Sequence, residues 1–91
     1  MTSLSDILGT QDDSSNRFII VGKETCVFTK NAVVLLVVKN KLYSYVEYSS
    51  LTPNQVDAVN AKCEHGYRTF PRVFYNERFV GGFTELTNML N

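Results

Sequence analysis

The chain has no tryptophan, one histidine, two cysteines, two prolines and five glycines, and its nine Lys+Arg cancel its nine Asp+Glu over 91 residues. Each shortage removes a class of function. Without a positive excess there is little to neutralise a run of phosphates or to grip an anionic lipid surface, so neither nucleic acid nor membrane is an expected partner. The longest apolar run, Ala32 to Val38, is far short of the ~20 residues that cross a bilayer. The N-terminus, Met1-Thr2-Ser3-Leu4-Ser5-Asp6, has no basic region followed by an apolar stretch, so a cytoplasmic chain is expected. Cys26 and Cys63 are too few for a disulfide framework, and His65 alone cannot complete a cysteine-rich zinc site. What is present, 44% hydrophobic and 20% charged residues, is the composition of one small globular domain with a single core.

Residues 1–16 read as a polar extension ending Gln11-Asp12-Asp13-Ser14-Ser15-Asn16, in which Leu4, Ile7 and Leu8 have the spacing of one short docked helix. The domain proper is expected over 17–91. Arg17-Phe18-Ile19-Ile20-Val21 reads as a buried strand stopped by Gly22. Ala32 to Val38 has strand propensity throughout, but Leu42 to Tyr48 alternates as a strand itself, and two adjacent strands leave no crossover; residues 27–39 are therefore expected to be helical. Thr52, Pro53 and Gln55 form an N-terminal capping signature, with Leu51 placed to staple onto Val56, and that helix is expected to run to Gly66, just after His65. Arg72 to Tyr75 and Arg78 to Val80 flank Asn76-Glu77 as a short hairpin, and a last helix is expected from about Thr84 to Leu90. The order is β-α-β-α-β-β-α without internal repeat, a small α/β layer with helices on a mixed sheet.

Cys26 falls where the first strand hands over to the first long helix. A sulfur there lies near unpaired amide N–H groups and the positive end of the helix dipole, which favour the thiolate. The bland alternative is a small buried hydrophobe, a common role for free cysteine. Cys63 shares a helical face with Val56 and Val59, so packing against the sheet is expected of it, and His65, Tyr43 and Tyr45 belong to no motif.

Three segments together, Lys23-Glu24-Thr25-Cys26-Val27-Phe28-Thr29, Arg68-Thr69-Phe70-Pro71-Arg72-Val73-Phe74 and Phe79-Val80-Gly81-Gly82-Phe83-Thr84-Glu85-Leu86, resemble the glutaredoxin family in order and spacing over residues 17–90. The resemblance implies a thioredoxin-like fold with a central mixed four-stranded sheet, glutathione as co-substrate, and glutathionylated or disulfide-containing proteins as partners of a monomer. It makes Cys26 the catalytic nucleophile and assigns glutathione binding to Lys23, Phe28, Thr29, Thr69, Phe70, Pro71, Gly82, Phe83 and Thr84. Lys23 would lower the Cys26 pKa and pair with a carboxylate of glutathione. The Phe70–Pro71 peptide is expected to be cis, with the backbone before Pro71 free to pair with the cysteinyl unit. The Gly81-Gly82 pair would let ligand approach the N–H groups of Phe83 and Thr84, which suit an α-carboxylate.

The departures are as informative. Where relatives read Cys-Pro-Tyr-Cys or Cys-Gly-Phe-Ser, this chain reads Cys26-Val27-Phe28-Thr29, so no resolving sulfur stands beside the nucleophile and a monothiol cycle is expected. Thr29 either hydrogen-bonds the thiolate or satisfies a local amide. Eleven positions before Thr69, where relatives hold the glycyl carboxylate with Gln or Arg, stands Ala58, with Gln55 and Arg68 as substitutes nearby. Two other functions stay open: a carrier of a 2Fe–2S cluster, in which Cys26 from each of two chains and two glutathiones are the ligands, and a binding module with little turnover.

Overall fold

The computed structural model describes residues 4–9, 17–63 and 67–91. Its centre is β1 (Phe18–Gly22), whose five residues are all buried, as a strand covered on both faces requires. The sheet order is β2-β1-β3-β4. β2 (Tyr43–Glu47) runs parallel to β1, with Phe18 opposite Tyr43 and Gly22 opposite Glu47. β3 (Arg72–Tyr75) and β4 (Arg78–Gly81) add antiparallel.

A parallel β1/β2 pair cannot be joined by a hairpin. The crossover is α2 (Val27–Val38), which overrides the strand propensity of its valines by burying Thr29, Ala32 and Leu36. On that face Phe18, Ile20, Ala32, Leu36, Val73 and Leu86 form one apolar cluster, with α4 (Phe83–Leu90) beside α2. Period-two alternation sends the other residues of β1, Ile19 and Val21, to the opposite face. There they pack with Val59 of α3 (Pro53–Lys62), Phe74, and Leu4 and Leu8 of α1 (Leu4–Leu8). The short N-terminal helix thus lies on the core, with Leu4 completely buried. Two polar contacts fix it: the Leu4 N–H donates to the Glu77 carboxylate, and Gln55 Nε2 donates to the Ile7 carbonyl at 2.9 Å.

α3 begins as expected. Thr52 Oγ1 accepts from the Gln55 N–H at 3.2 Å, and Gln55 Oε1 accepts from the Thr52 N–H at 2.9 Å. Its end corrects the expectation of a helix to Gly66: Cys63 is the C-cap, at φ −80° and ψ 162°, so the chain leaves the helix before His65 and Gly66, which lie outside the described residues. α4 starts at Phe83, one residue before the expected Thr84, with Gly82 as its N-cap. The β3–β4 turn places both Asn76 and Glu77 at positive φ, 50° and 69°, the geometry a two-residue hairpin of this hand demands.

Candidate active site

β1 ends at Gly22 because the next element must come close. A Cβ there would stand 2.4 Å from Thr29 Cγ2, so only glycine admits the first turn of α2 against the strand end. The chain turns through Lys23 to Cys26, closed by the Cys26 N–H donating to the Lys23 carbonyl at 2.9 Å, and Cys26 becomes the N-cap of α2. Its sulfur, half-buried, faces the unpaired amides of the first turn. The Thr29 backbone N–H holds the thiol below its ordinary pKa against the opposing effect of burial, helped by the Thr29 hydroxyl, the Phe28 N–H and the charge of Lys23. Thr29 therefore fills both roles foreseen for it: it is buried, it supports the thiolate, and its Oγ1 accepts from the Lys23 N–H at 3.4 Å.

The opposite wall is the segment entering β3. The Cys26 thiol donates to the Phe70 carbonyl at 3.7 Å, and the Phe70–Pro71 peptide is cis. The Phe70 ring meets Tyr48 edge-on at 4.7 Å. This aromatic pair carries two cations: Lys23 Nζ lies 5.1 Å from the Phe70 centroid, and Arg72 Cζ lies 4.6 Å from it. Arg72 is buried, with Nε donating to the Thr69 carbonyl at 3.4 Å and Nη1 donating to Asn60 Oδ1. Glu47 secures the loop before the thiol. Its Oε1 accepts from the Glu24 N–H at 2.9 Å and from the Tyr45 hydroxyl at 2.8 Å, while Oε2 accepts from the Ser49 hydroxyl at 2.9 Å. The Tyr45 bond, first among these causes, keeps the Glu47 carboxyl below the usual carboxylate range.

Beside the thiol runs a groove of about 390 Å³ lined by Phe28, Thr69, Phe70, Gly82, Phe83 and Thr84, together with Tyr67 and Glu85. Six of the nine residues expected to bind glutathione therefore share one cleft. The other three do not line it: Pro71 is buried, Thr29 is buried toward the side of α2 that faces β2, and Lys23 stands over the aromatic pair. Gly81 is required by its backbone, at φ +131°, while a Cβ on Gly82 would press on the movable hydroxyl end of Tyr67 at 2.4 Å. The Phe28 and Phe83 rings, 6.0 Å apart, form one rim.

Glu85, Tyr67, Tyr48 and Glu47 were not foreseen as site residues. Glu85 was legible, because Gly82-Phe83-Thr84-Glu85 has capping-box spacing, and Glu85 Oε1 does accept from the Gly82 N–H at 2.7 Å. Tyr48 and Glu47 come from elements distant in sequence and carry no local signal, and Tyr67, although two residues before Thr69, belongs to no capping or turn pattern. Of the substitutes near Ala58, Gln55 is committed to the α3 cap and to α1. Arg68 is exposed. Cys63 is half-buried against the α1–α3 cluster and lines a separate cavity with Lys62, Tyr67 and Phe79; burial pushes its thiol up, with Arg72 partly opposing.

Chicken glutaredoxin-1 is 34% identical to this chain over 74 residues, covering 81% of the chain and 73% of that protein. The chain belongs to the glutaredoxin family. No family model matches it. Solved glutaredoxins share the fold at lower identity. The holo form of poplar glutaredoxin C1 superposes with a TM-score of 0.68 at 23% identity, covering 93% of this chain and 82% of that one. Reduced Escherichia coli glutaredoxin gives 0.66 at 20%, covering 81% and 92%. A dithiolic glutaredoxin of Trypanosoma brucei brucei gives 0.64 at 21%, covering 100% and 98%. Glutaredoxins are thiol–disulfide oxidoreductases with glutathione as co-substrate, and the expected thioredoxin-like architecture, a mixed four-stranded sheet flanked by helices, is the one observed. No helix among the described residues is long and apolar enough to cross a membrane.

Proposed function

We propose that this glutaredoxin reduces glutathione mixed disulfides by a monothiol cycle at Cys26. The observation that carries the reading is the placement of the Cys26 sulfur at the N-cap of α2, with its pKa lowered and Thr29, not a second cysteine, in the first turn. The Cys26 thiolate attacks the glutathione sulfur of a mixed disulfide; the bond between that sulfur and the target breaks, and the target leaves as a thiolate that takes a proton from solvent. A second glutathione thiolate then attacks the glutathionyl sulfur on Cys26. Glutathione disulfide is released and the Cys26 thiolate returns, so one free glutathione is oxidised for each target thiol released, the other half of the disulfide coming from the substrate.

The groove residues have matching tasks in this proposal. The backbone of Thr69 and Phe70 pairs with the cysteinyl unit, the N–H groups of Phe83 and Thr84 receive the γ-glutamyl α-carboxylate, and Glu85 faces its ammonium group. Lys23 supplies positive charge for the glycyl carboxylate. A 2Fe–2S cluster would find one suitable thiolate per chain, and the described residues hold no group of three or more His, Cys, Asp or Glu. A cluster would therefore need a second chain and external thiols. Turnover of the β-mercaptoethanol–glutathione mixed disulfide tests the proposal: activity in wild type and Cys63→Ser but not in Cys26→Ser is expected. An inactive wild type, or a brown protein absorbing above about 400 nm in place of turnover, would overturn it.

A further inference from the structure

The solvent side of α2 is as apolar as its buried side. Val27, Val34 and Val38 stand at i, i+7 and i+11, on one line along the helix, and are 65%, 58% and 73% exposed, with Val37 beside them. A helix apolar on both faces normally has both faces covered. The row begins at Val27, next to the nucleophile. Leu42, just before edge strand β2, is also 60% exposed. Between α2 and β2 lies a groove of about 430 Å³ lined by Val33, Val34, Tyr43, Tyr45, Thr29 and Lys30, with Glu24 at the Cys26 end. This groove is distinct from the glutathione groove: Phe28 of α2 lines that one, and Lys30, Val33 and Val34 line this one.

The charges around the row have one sign along most of its length. Lys30 and Lys39 stand along it and Lys41 follows beyond its far end, none paired with a carboxylate among the described residues, while the anions, Glu24 and the Glu47 carboxylate bonded to the Tyr45 hydroxyl, are confined to the Cys26 end. A second copy of the chain docked on this face would set lysines against lysines. An anionic membrane is also a poor match: the row is valine with no exposed tryptophan or phenylalanine beyond Cys26's own neighbour Phe28, and it is interrupted by a groove shaped for single side chains. An apolar peptide segment carrying carboxylates satisfies both the surface and its charges.

We infer that the α2–β2 face is the docking surface for the protein half of the mixed disulfide, and that it selects targets whose cysteine is followed by apolar and acidic residues. This rests on the proposed reaction at Cys26 and adds its substrate class. Glutathione occupies the cleft on the α4 side, and the target chain runs from Cys26 along the valine row, an apolar side chain entering the Val33–Tyr45 groove and its carboxylates meeting Lys30, Lys39 and Lys41.

The test uses three synthetic peptides, each glutathionylated at its only cysteine: one with leucine and glutamate after the cysteine, one with lysine replacing glutamate, one with serine replacing leucine. The β-mercaptoethanol–glutathione disulfide is the control. Wild type should favour the leucine–glutamate peptide in kcat/KM by about tenfold over both others. Val34→Asp should abolish that preference, and Lys30→Glu/Lys41→Glu should shift it toward the lysine peptide, with control turnover unchanged in each. Equal rates on the three peptides, or a preference that survives Val34→Asp, overturns the inference while leaving the reaction intact. So does a dimer, or retention on phosphatidylserine vesicles, that Val34→Asp dissolves. If wild type fails on the control disulfide, the proposed reaction fails instead, and docking is decided by anisotropy of the fluorescein-labelled reduced peptides on Cys26→Ser, where the same order of affinities supports it and no discrimination rejects it.

Discussion

Cys26 and Cys63 are the same residue at opposite kinds of helix end, and their thiols move in opposite directions. Cys26 caps the N-terminus of α2, where free amides and the Thr29 hydroxyl favour its anion. Cys63 caps the C-terminus of α3, where carbonyls are the unpaired groups and where burial penalises charge more than the nearby Arg72 relieves it. At Cys26 the first-turn amide of Thr29 leads and the charge of Lys23 comes last, whereas at Cys63 burial leads and the neighbouring Arg72 does not reverse it.

The comparison breaks most sharply at the sulfur itself. Cys26→Ser should lower mixed-disulfide turnover by ~1000-fold or more, because an alkoxide cannot be generated where a thiolate is. Gly22→Ala should come next: its methyl would press on Thr29 and displace the turn of α2 that activates Cys26, costing about 2 kcal/mol in denaturant unfolding and slowing alkylation of Cys26 but not of Cys63. Thr29→Val keeps the shape and removes the hydroxyl. It should cost about 1 kcal/mol by orphaning the Lys23 amide and raise the pH midpoint of Cys26 alkylation. Lys23→Gln should move that midpoint less, with turnover falling by under about threefold at low salt and converging with wild type at high salt. Cys63→Ser should change turnover by less than about twofold.

The pH dependence has opposite signs at the two thiols. Because the folded pKa of Cys26 lies below its unfolded value, its contribution to stability is present above the unfolded value and is lost as pH falls through the folded one. Cys63, raised on folding, contributes below the unfolded value and loses that contribution as pH rises through the folded one. Unfolding of Cys63→Ser should therefore be less sensitive to alkaline pH than wild type, and that of Cys26→Ser should lack the acid-side loss.

Local signals carried the parts of the fold that local chemistry decides. The Thr52–Gln55 cap, the β1 run and the double glycine could each be read from a few residues, and α2 followed from the topological need for a crossover. What escaped depends on tertiary partners. The length of α3 turns on Cys63 leaving the helix, which no residue before it dictates. The spacing of Leu4, Ile7 and Leu8 marked a docked helix, but not its partners: the Leu4 amide bonds to Glu77 on the far hairpin. Gln55 read as a substitute ligand, but its amide is spent on Ile7. The resemblance pointed to the residues of the cleft proposed for glutathione, whereas Tyr48 and Glu47 reach the site only because parallel pairing brings the end of β2 beside the end of β1.

The bond from the Leu4 amide to Glu77 joins residues 73 positions apart. Leu4 is synthesised well before Glu77, so the α1 layer is not locked until the β3–β4 turn has followed it. Long-range closure of this kind is slow to form. Until it does, Ile19, Val21 and Val59 keep an open face, and it is in this interval that the nascent chain would most need a chaperone.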